Sequence, residues 1–161
     1  MNKSKTAILG FGNPIISDDA VGCYVIDELT AFFMYSQEVT LFDMGTSDKD
    51  ILCKLKGHNT IILIDGSFNS GESPGTIFRL SPEEIASASL EEPKVMLPCL
   101  RWHHALYHAR KVLGEGFPER VIVYLIAVDD TQLDIGLTEE VAEAGDQVVK
   151  LIRRTIMEVG V

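Results

Sequence analysis

Two adjacent carboxylates, Asp18 and Asp19, follow an apolar segment and a glycine-bearing turn in TAILGFGNPIISDDAVG, residues 6–22. A third acid, Asp65, ends the apolar run TIILID at 60–65, and two neighbouring histidines, His103 and His104, sit in RWHHAL at 101–106. Carboxylate oxygens combined with an imidazole nitrogen suit zinc, nickel, manganese or iron better than copper(I) or magnesium. A metal so held can polarise a carbonyl or activate a water. Further acids fall at similar places: Asp43 in VTLFDMG and the pair Asp129–Asp130 after RVIVYLIAV. Acids crowded on one rim repel each other unless a cation or a basic partner joins them. Each residue also has a plainer reading. Asp18 can serve as a helix N-cap, Asp65 with Gly66 can start a turn, and Trp102 with the two histidines can line the edge of a core.

An alternation of strands and helices must position these groups. Apolar runs at 6–12, 39–45, 60–65, 75–80 and 120–128 read as five strands. The runs at 60–65 and 120–128 are apolar enough for the centre of a sheet covered on both faces. Residues 19–34 place Val21, Val25, Ile26, Leu29, Phe32 and Phe33 at helical spacing, with Asp18 or Asp19 at the helix start. Shorter helices are expected at 49–56 and 81–86, the second opened by a capping box at Ser81. A loop at 87–98 precedes a helix at 103–113, with Leu106, Ala109, Val112 and Leu113 inward and Gly114 ending it. Thr138 caps the last helix, whose inner face is Val141, Val148, Val149, Ile152 and Ile156. The pattern predicts one α/β domain over 1–161: a three-layer α/β/α arrangement with a mostly parallel, roughly five-stranded twisted sheet. In such sheets the functional crevice lies outside the carboxyl ends of the strands, where the acids above fall.

The 161 residues carry a net charge of −10, and the pI is about 4.8. An acidic chain lacks the basic face that nucleic acid requires and is unsuited to an anionic membrane surface. The three cysteines, Cys23, Cys53 and Cys99, show no paired spacing. They fit free thiols in a reducing compartment, and the expected location is cytoplasmic. A nucleophilic thiol at Cys99, near His103, is the weaker reading of that residue, since apolar surroundings make a thiol inert. GFGNPI opens like a dinucleotide fingerprint, but Ile15 stands where the third glycine is needed. The acid pair would also repel a pyrophosphate at that helix start. HExxH, GxSxG and the phosphate-loop pattern are all missing.

Taken together, these motifs resemble the hydrogenase maturation endopeptidases, which trim a C-terminal extension from the large subunit of nickel–iron hydrogenases. LGFGNPIISDDAVG is similar to the family's opening glycine–asparagine loop and acid pair, and FDMGTSDKDIL at 42–52 to its Asp-Gly-Gly-Thr segment. ILIDGSFNSGESPGTIFRL at 62–80 resembles the stretch bearing the second carboxylate, and GLTEEVAEA at 136–144 the opening of the last helix. Met44 and Asp48 depart from the family's glycines.

The resemblance implies that Asp19, Asp65 and one histidine bind metal and carry catalysis. Of the adjacent pair His103 and His104, His103 is the favoured ligand, since it stands at the start of the expected helix. Asn13, Asp43, Gly45 and Thr46 correspond to substrate-recognition positions. The implied metal is nickel supplied by the substrate, with zinc or cadmium able to stand in. The implied partner is a hydrogenase large-subunit precursor, cut after nickel insertion by a monomeric enzyme that binds neither nucleic acid nor membrane. Two other readings share the same residues: a non-enzymatic assembly factor that reads a metal centre, and a small-molecule hydrolase on a related scaffold.

Overall fold

A computed structural model describes residues 5–47, 50–92, 101–129 and 132–158. Five strands form one sheet in the order β2-β1-β3-β5-β4. They are β1 (Thr6–Phe11), β2 (Val39–Gly45), β3 (Thr60–Ser67), β4 (Ile77–Arg79) and β5 (Arg120–Ala127). The first three and β5 pair in parallel, while β4 runs antiparallel along β5 at the edge. All six residues of β1 are buried, as are the first seven of β3. Continuous burial on both faces is what a central parallel strand between helical layers requires.

Among the described residues, five α-helices cover the sheet: α1 (Val21–Phe33), α2 (Ile51–Leu55), α3 (Pro82–Leu90), α4 (Arg101–Leu113) and α5 (Glu139–Glu158). Alternation of side chains along each strand divides the core in two. Ile8, Ile62, Ile64 and Tyr124 pack with α1 and α5, while Leu9, Ile61, Leu63 and Val123 pack with α2, α3 and α4. The result is the expected three-layer α/β/α arrangement. Among the described residues, no helix is long and apolar enough to cross a membrane.

Element boundaries shift from the expectations in informative ways. Asp65 lies inside β3, because the ladder with β5 continues through Ser67↔Ala127. The fourth strand shortens from 75–80 to Ile77–Arg79, since Gly75 sits at φ +88 and its N–H bonds to Ala127 outside the ladder. The 81–86 helix runs on through Leu90, past the expected loop boundary at 87. Its capping box is present: Ser81 Oγ accepts from Glu84 N at 3.1 Å, and the Glu84 carboxylate accepts from Ser81 N at 2.6 Å. Residues 93–98 of that loop, Asp48, Asp130 and Cys99 lie outside the described residues. Phe32 and Val112, expected inward, are 50% and 63% exposed. The Phe32 ring instead lies under the Arg153 guanidinium, 3.6 Å from its centroid.

The order β2-β1-β3 means that the chain leaves β1 to one side and returns to the other. In open α/β sheets such a reversal marks where the functional crevice forms, here at the carboxyl ends of β1 and β3. Glycine lets α1 close over it. A Cβ at Gly22 would stand 2.1 Å from the Phe11 carbonyl oxygen and 2.7 Å from that of Ile64. At Gly12 it would stand 2.2 Å from the Asp19 carbonyl oxygen. The first turn of α1 thus rests on the backbones of β1 and β3, and brings the acid pair onto their ends. Gly22→Ala must push these backbones apart, and should lower the unfolding free energy by about 1–3 kcal/mol in a denaturant titration.

Candidate functional site

The loop after β1 is fixed at several points. Asn13 bends it: its side-chain oxygen accepts from Ile15 N and its carbonyl from Ile16 N. Ile16 forms a parallel bridge with Asp134. The chain then winds into a 3-10 turn, Ser17–Ala20, that carries both acids. Neither caps α1, whose N-cap is Ala20 with no side-chain bond. Asp18 turns away from the strand ends and accepts from Thr138, from the backbone N–H at 2.8 Å and from the hydroxyl at 2.9 Å and 3.0 Å. It ties the loop to the start of α5, so Thr138 spends its hydroxyl on Asp18. Burial of Asp18 is accounted for by these bonds.

Asp19 faces the other way. Its Oδ2 accepts from Asn13 N at 3.1 Å, and both oxygens meet Arg101 of α4, at 2.6 Å and 3.3 Å. The Arg101 nitrogen that lies 2.6 Å from Asp19 also lies 2.9 Å from Asp65 Oδ1. Asp65, reaching from β3, is wholly buried. Its Oδ1 also accepts from Gly66 N, while Oδ2 is buried with no partner. One guanidinium therefore joins two carboxylates carried by different elements, at the carboxyl ends of β1 and β3. The cation that the acid rim needs is present, and it is an arginine.

Arg101 escaped the sequence reading, although RWHHAL was singled out. The missed signal is its spacing. Arg101, Ala105 and Ala109 are all buried, and residues four apart lie on one helical stripe. A cation in register with an inward alanine stripe is placed to be buried.

The histidines separate. The helix expected at 103–113 already includes Arg101, so neither histidine lies at a loop-to-helix junction. His103 is two residues from Arg101, about 200° around the helix. Its Nε2 donates to the Glu91 carbonyl at 2.9 Å, and its ring stacks on Trp102. His104, three residues on, falls about 60° from Arg101. Its Nε2 is buried with no partner, and its ring stacks on His108. Among the described residues, no group of three or more His, Cys, Asp and Glu is gathered so as to hold a metal ion unaided. Two carboxylates aimed at one point, with an orphaned oxygen beside them, fit part of a coordination shell for a cation that oxygen can bind.

The substrate-recognition candidates line one side of the crevice. Asp43 is exposed on β2 and accepts from Gly45 N at 3.0 Å. Gly45, at φ +55, accepts from Gly12 N at 2.9 Å, and Thr46 is exposed beside it. Cys23 is buried, its thiol 3.5 Å from the Gly12 carbonyl. Burial, then the hydrogen bond and charge of Asp43, push its pKa up to about 12. A thiol held neutral in this way is a poor nucleophile. Cys53 is exposed. On the opposite flank, a cleft of about 610 Å³ is lined by Asp18, Ser73, Pro74, Asp129, Thr138 and Glu140.

Burial raises the pKa of Asp65 to about 7 from 3.8, with Arg101 opposing and Asp19 adding to the rise. The folded chain thus holds a proton between about 3.8 and 7 that the unfolded chain releases. This group's contribution to stability is complete below that window and is lost as pH rises through it. Asp65→Asn cannot lose it. The unmodified chain should therefore fall relative to Asp65→Asn, by about 1 kcal/mol or more between pH 4 and pH 8, in paired denaturant titrations.

Comparison with known proteins matches residues 23–155 to the family described as hydrogenase maturation protease. The hydrogenase 2 maturation protease of Escherichia coli is 25% identical over 154 residues, covering 96% of this chain and 92% of that protein. A putative hydrogenase maturation protease of Methanocaldococcus jannaschii is 29% identical over 160 residues, covering 94% and 96%. The solved structure of the E. coli hydrogenase maturating endopeptidase HybD superposes with a TM-score of 0.77 at 22% identity, covering 97% of this chain and 94% of that one.

Proposed function

The chain belongs to the hydrogenase maturation protease family, and on that premise we infer that it removes a C-terminal extension from a nickel–iron hydrogenase large-subunit precursor after nickel insertion. As a member of a protease family it is a hydrolase of peptide bonds. This favours it over the non-enzymatic assembly factor and the small-molecule hydrolase weighed from the sequence.

The observation that carries the reading is the meeting of Asp19 and Asp65 around a single point at the crevice between β1 and β3. Two carboxylates form an incomplete shell. That suits an ion that arrives already held by the substrate's own ligands and needs only oxygen donors added. In this reading nickel is part of the substrate. Asp19 and Asp65 engage it, and thereby set the scissile bond against the crevice. When so held, nickel supplies Lewis-acid polarisation of the carbonyl or of the attacking water. The Asp65 carboxyl, whose second oxygen has no partner, is suited to take up or give back the proton of that water. Of the two histidines, His104 is the better third donor. Its Nε2 has no partner and lies near the Arg101 stripe, whereas His103 is engaged by Glu91. Asn13 positions Asp19 through its N–H, while Asp43, Gly45 and Thr46 form a rim where a substrate chain would lie. The acidic cleft beyond Asp18 favours a basic segment on that chain.

The test uses purified protein with a nickel-loaded large-subunit precursor, nickel-free precursor as control, and mass spectrometry to detect the shortened product. Cleavage should require nickel and should fall by about 100-fold or more in Asp19→Ala and Asp65→Ala, each checked for an intact fold. Equal cleavage of loaded and empty precursor, or full activity in both variants, would sink the reading. His104→Ala should impair cleavage more than His103→Ala. Asp43→Ala should weaken substrate binding while leaving the carboxylate pair in place.

A further inference from the structure

We propose that Arg101 is a resident competitor for the Asp19–Asp65 site, which keeps free metal ions out and yields only to a cation delivered by a docked substrate. This rests on the reading of Asp19 and Asp65 as the groups that engage the substrate's nickel.

The geometry makes the competition direct. One guanidinium nitrogen lies 2.6 Å from Asp19 Oδ1 and 2.9 Å from Asp65 Oδ1. An ion that contacts both oxygens must stand close to where that nitrogen stands. The second nitrogen reaches Asp19 Oδ2 at 3.3 Å, so Asp19 is held through both of its oxygens. Paired charge-assisted bonds of this kind are strong and directional. Arginine also stays protonated throughout the physiological range, so the competitor cannot be removed by deprotonation. A dissolved metal ion would have to displace the guanidinium, shed water and hold two carboxylates where, among the described residues, no group of three His, Cys, Asp or Glu is gathered to hold it.

A metal fixed in a docked protein faces a different balance. Docking supplies it at a high effective concentration at the crevice, and its remaining ligands travel with it. The energy of the wider interface can then displace Arg101. The burial of Arg101 supports this role over that of a passive surface pair. Its side chain is only 7% exposed, and its Nε is buried with no partner. The guanidinium is therefore committed to the two acids and has an unmet donor of its own. Specificity follows from such an arrangement: a site occupied by its own cation rejects weakly presented ions, as designed competition does elsewhere.

Nickel chloride titration of the full chain, followed by competition with a chromophoric chelator, tests this without any precursor. Arg101→Met keeps the apolar stem and removes the charge. It should bind nickel at least about tenfold more tightly than the unmodified chain, a gain of about 1.4 kcal/mol. Adding Asp19→Ala to Arg101→Met should abolish that gain. Arg101→Lys keeps a point charge that cannot span both carboxylates as the guanidinium does, and should fall between the two. Nickel affinity in Arg101→Met that equals or falls below that of the unmodified chain overturns the proposal. Should Arg101→Met fail to fold, the Arg101→Lys comparison decides: tighter nickel binding supports competition, and unchanged or weaker binding refutes it. Because the readout is metal affinity, this can fail while nickel-dependent cleavage stands, and the reverse.

Discussion

Two buried carboxylates share one guanidinium, and much of the architecture is arranged around that contact. Asp19 is carried on a turn before α1, Asp65 on a central strand, and Arg101 on a helix across the sheet. Two acids brought this close without a cation would each be costly to ionise, and an arginine left without them would be a buried unpaired charge. The contact therefore links three elements that the two core clusters also pack together. It also leaves traces of strain: an unpartnered oxygen on Asp65 and an unpartnered Nε on Arg101. Interiors satisfy nearly all such atoms, and groups left unsatisfied are commonly found where function requires them.

The neighbouring acids divide the work. Asp18 and Asp19 are consecutive, yet one is fully used in holding Thr138 at the start of α5, while the other faces the crevice. The structural acid fixes the loop, and so it also fixes the direction in which the other points. Gly12 and Gly22 complete this arrangement by admitting the backbone closely enough for the turn to sit on the strand ends. On the proposed reading, a rigid frame presents two oxygens for a metal that comes with the substrate, and α4 supplies the cation that occupies them beforehand.

Much of this was legible in the sequence, and the exceptions have physical causes. Long apolar runs marked β1, β3 and β5, because a strand buried on both faces has no need of alternation. The helical spacing of Val21, Val25, Ile26 and Leu29 marked α1 for the same reason of burial. Acids next to such runs stood out, so Asp19, Asp65 and the need for a cation could be read. The direction of β4 could not, since three residues at an edge carry no mark of orientation. Arg101 was hidden because arginine is ordinarily exposed and its partners lie 82 and 36 residues away. The helix already includes Arg101, which sets His103 about 200° and His104 about 60° around the axis from it.

The most direct measurement is an experimental structure of this chain bound to a nickel-loaded precursor whose cleavage has been blocked. Nickel within bonding distance of Asp19 and Asp65, with the Arg101 guanidinium withdrawn from both, is the predicted result. Arg101 still bridging the two carboxylates, with nickel held elsewhere, would contradict it.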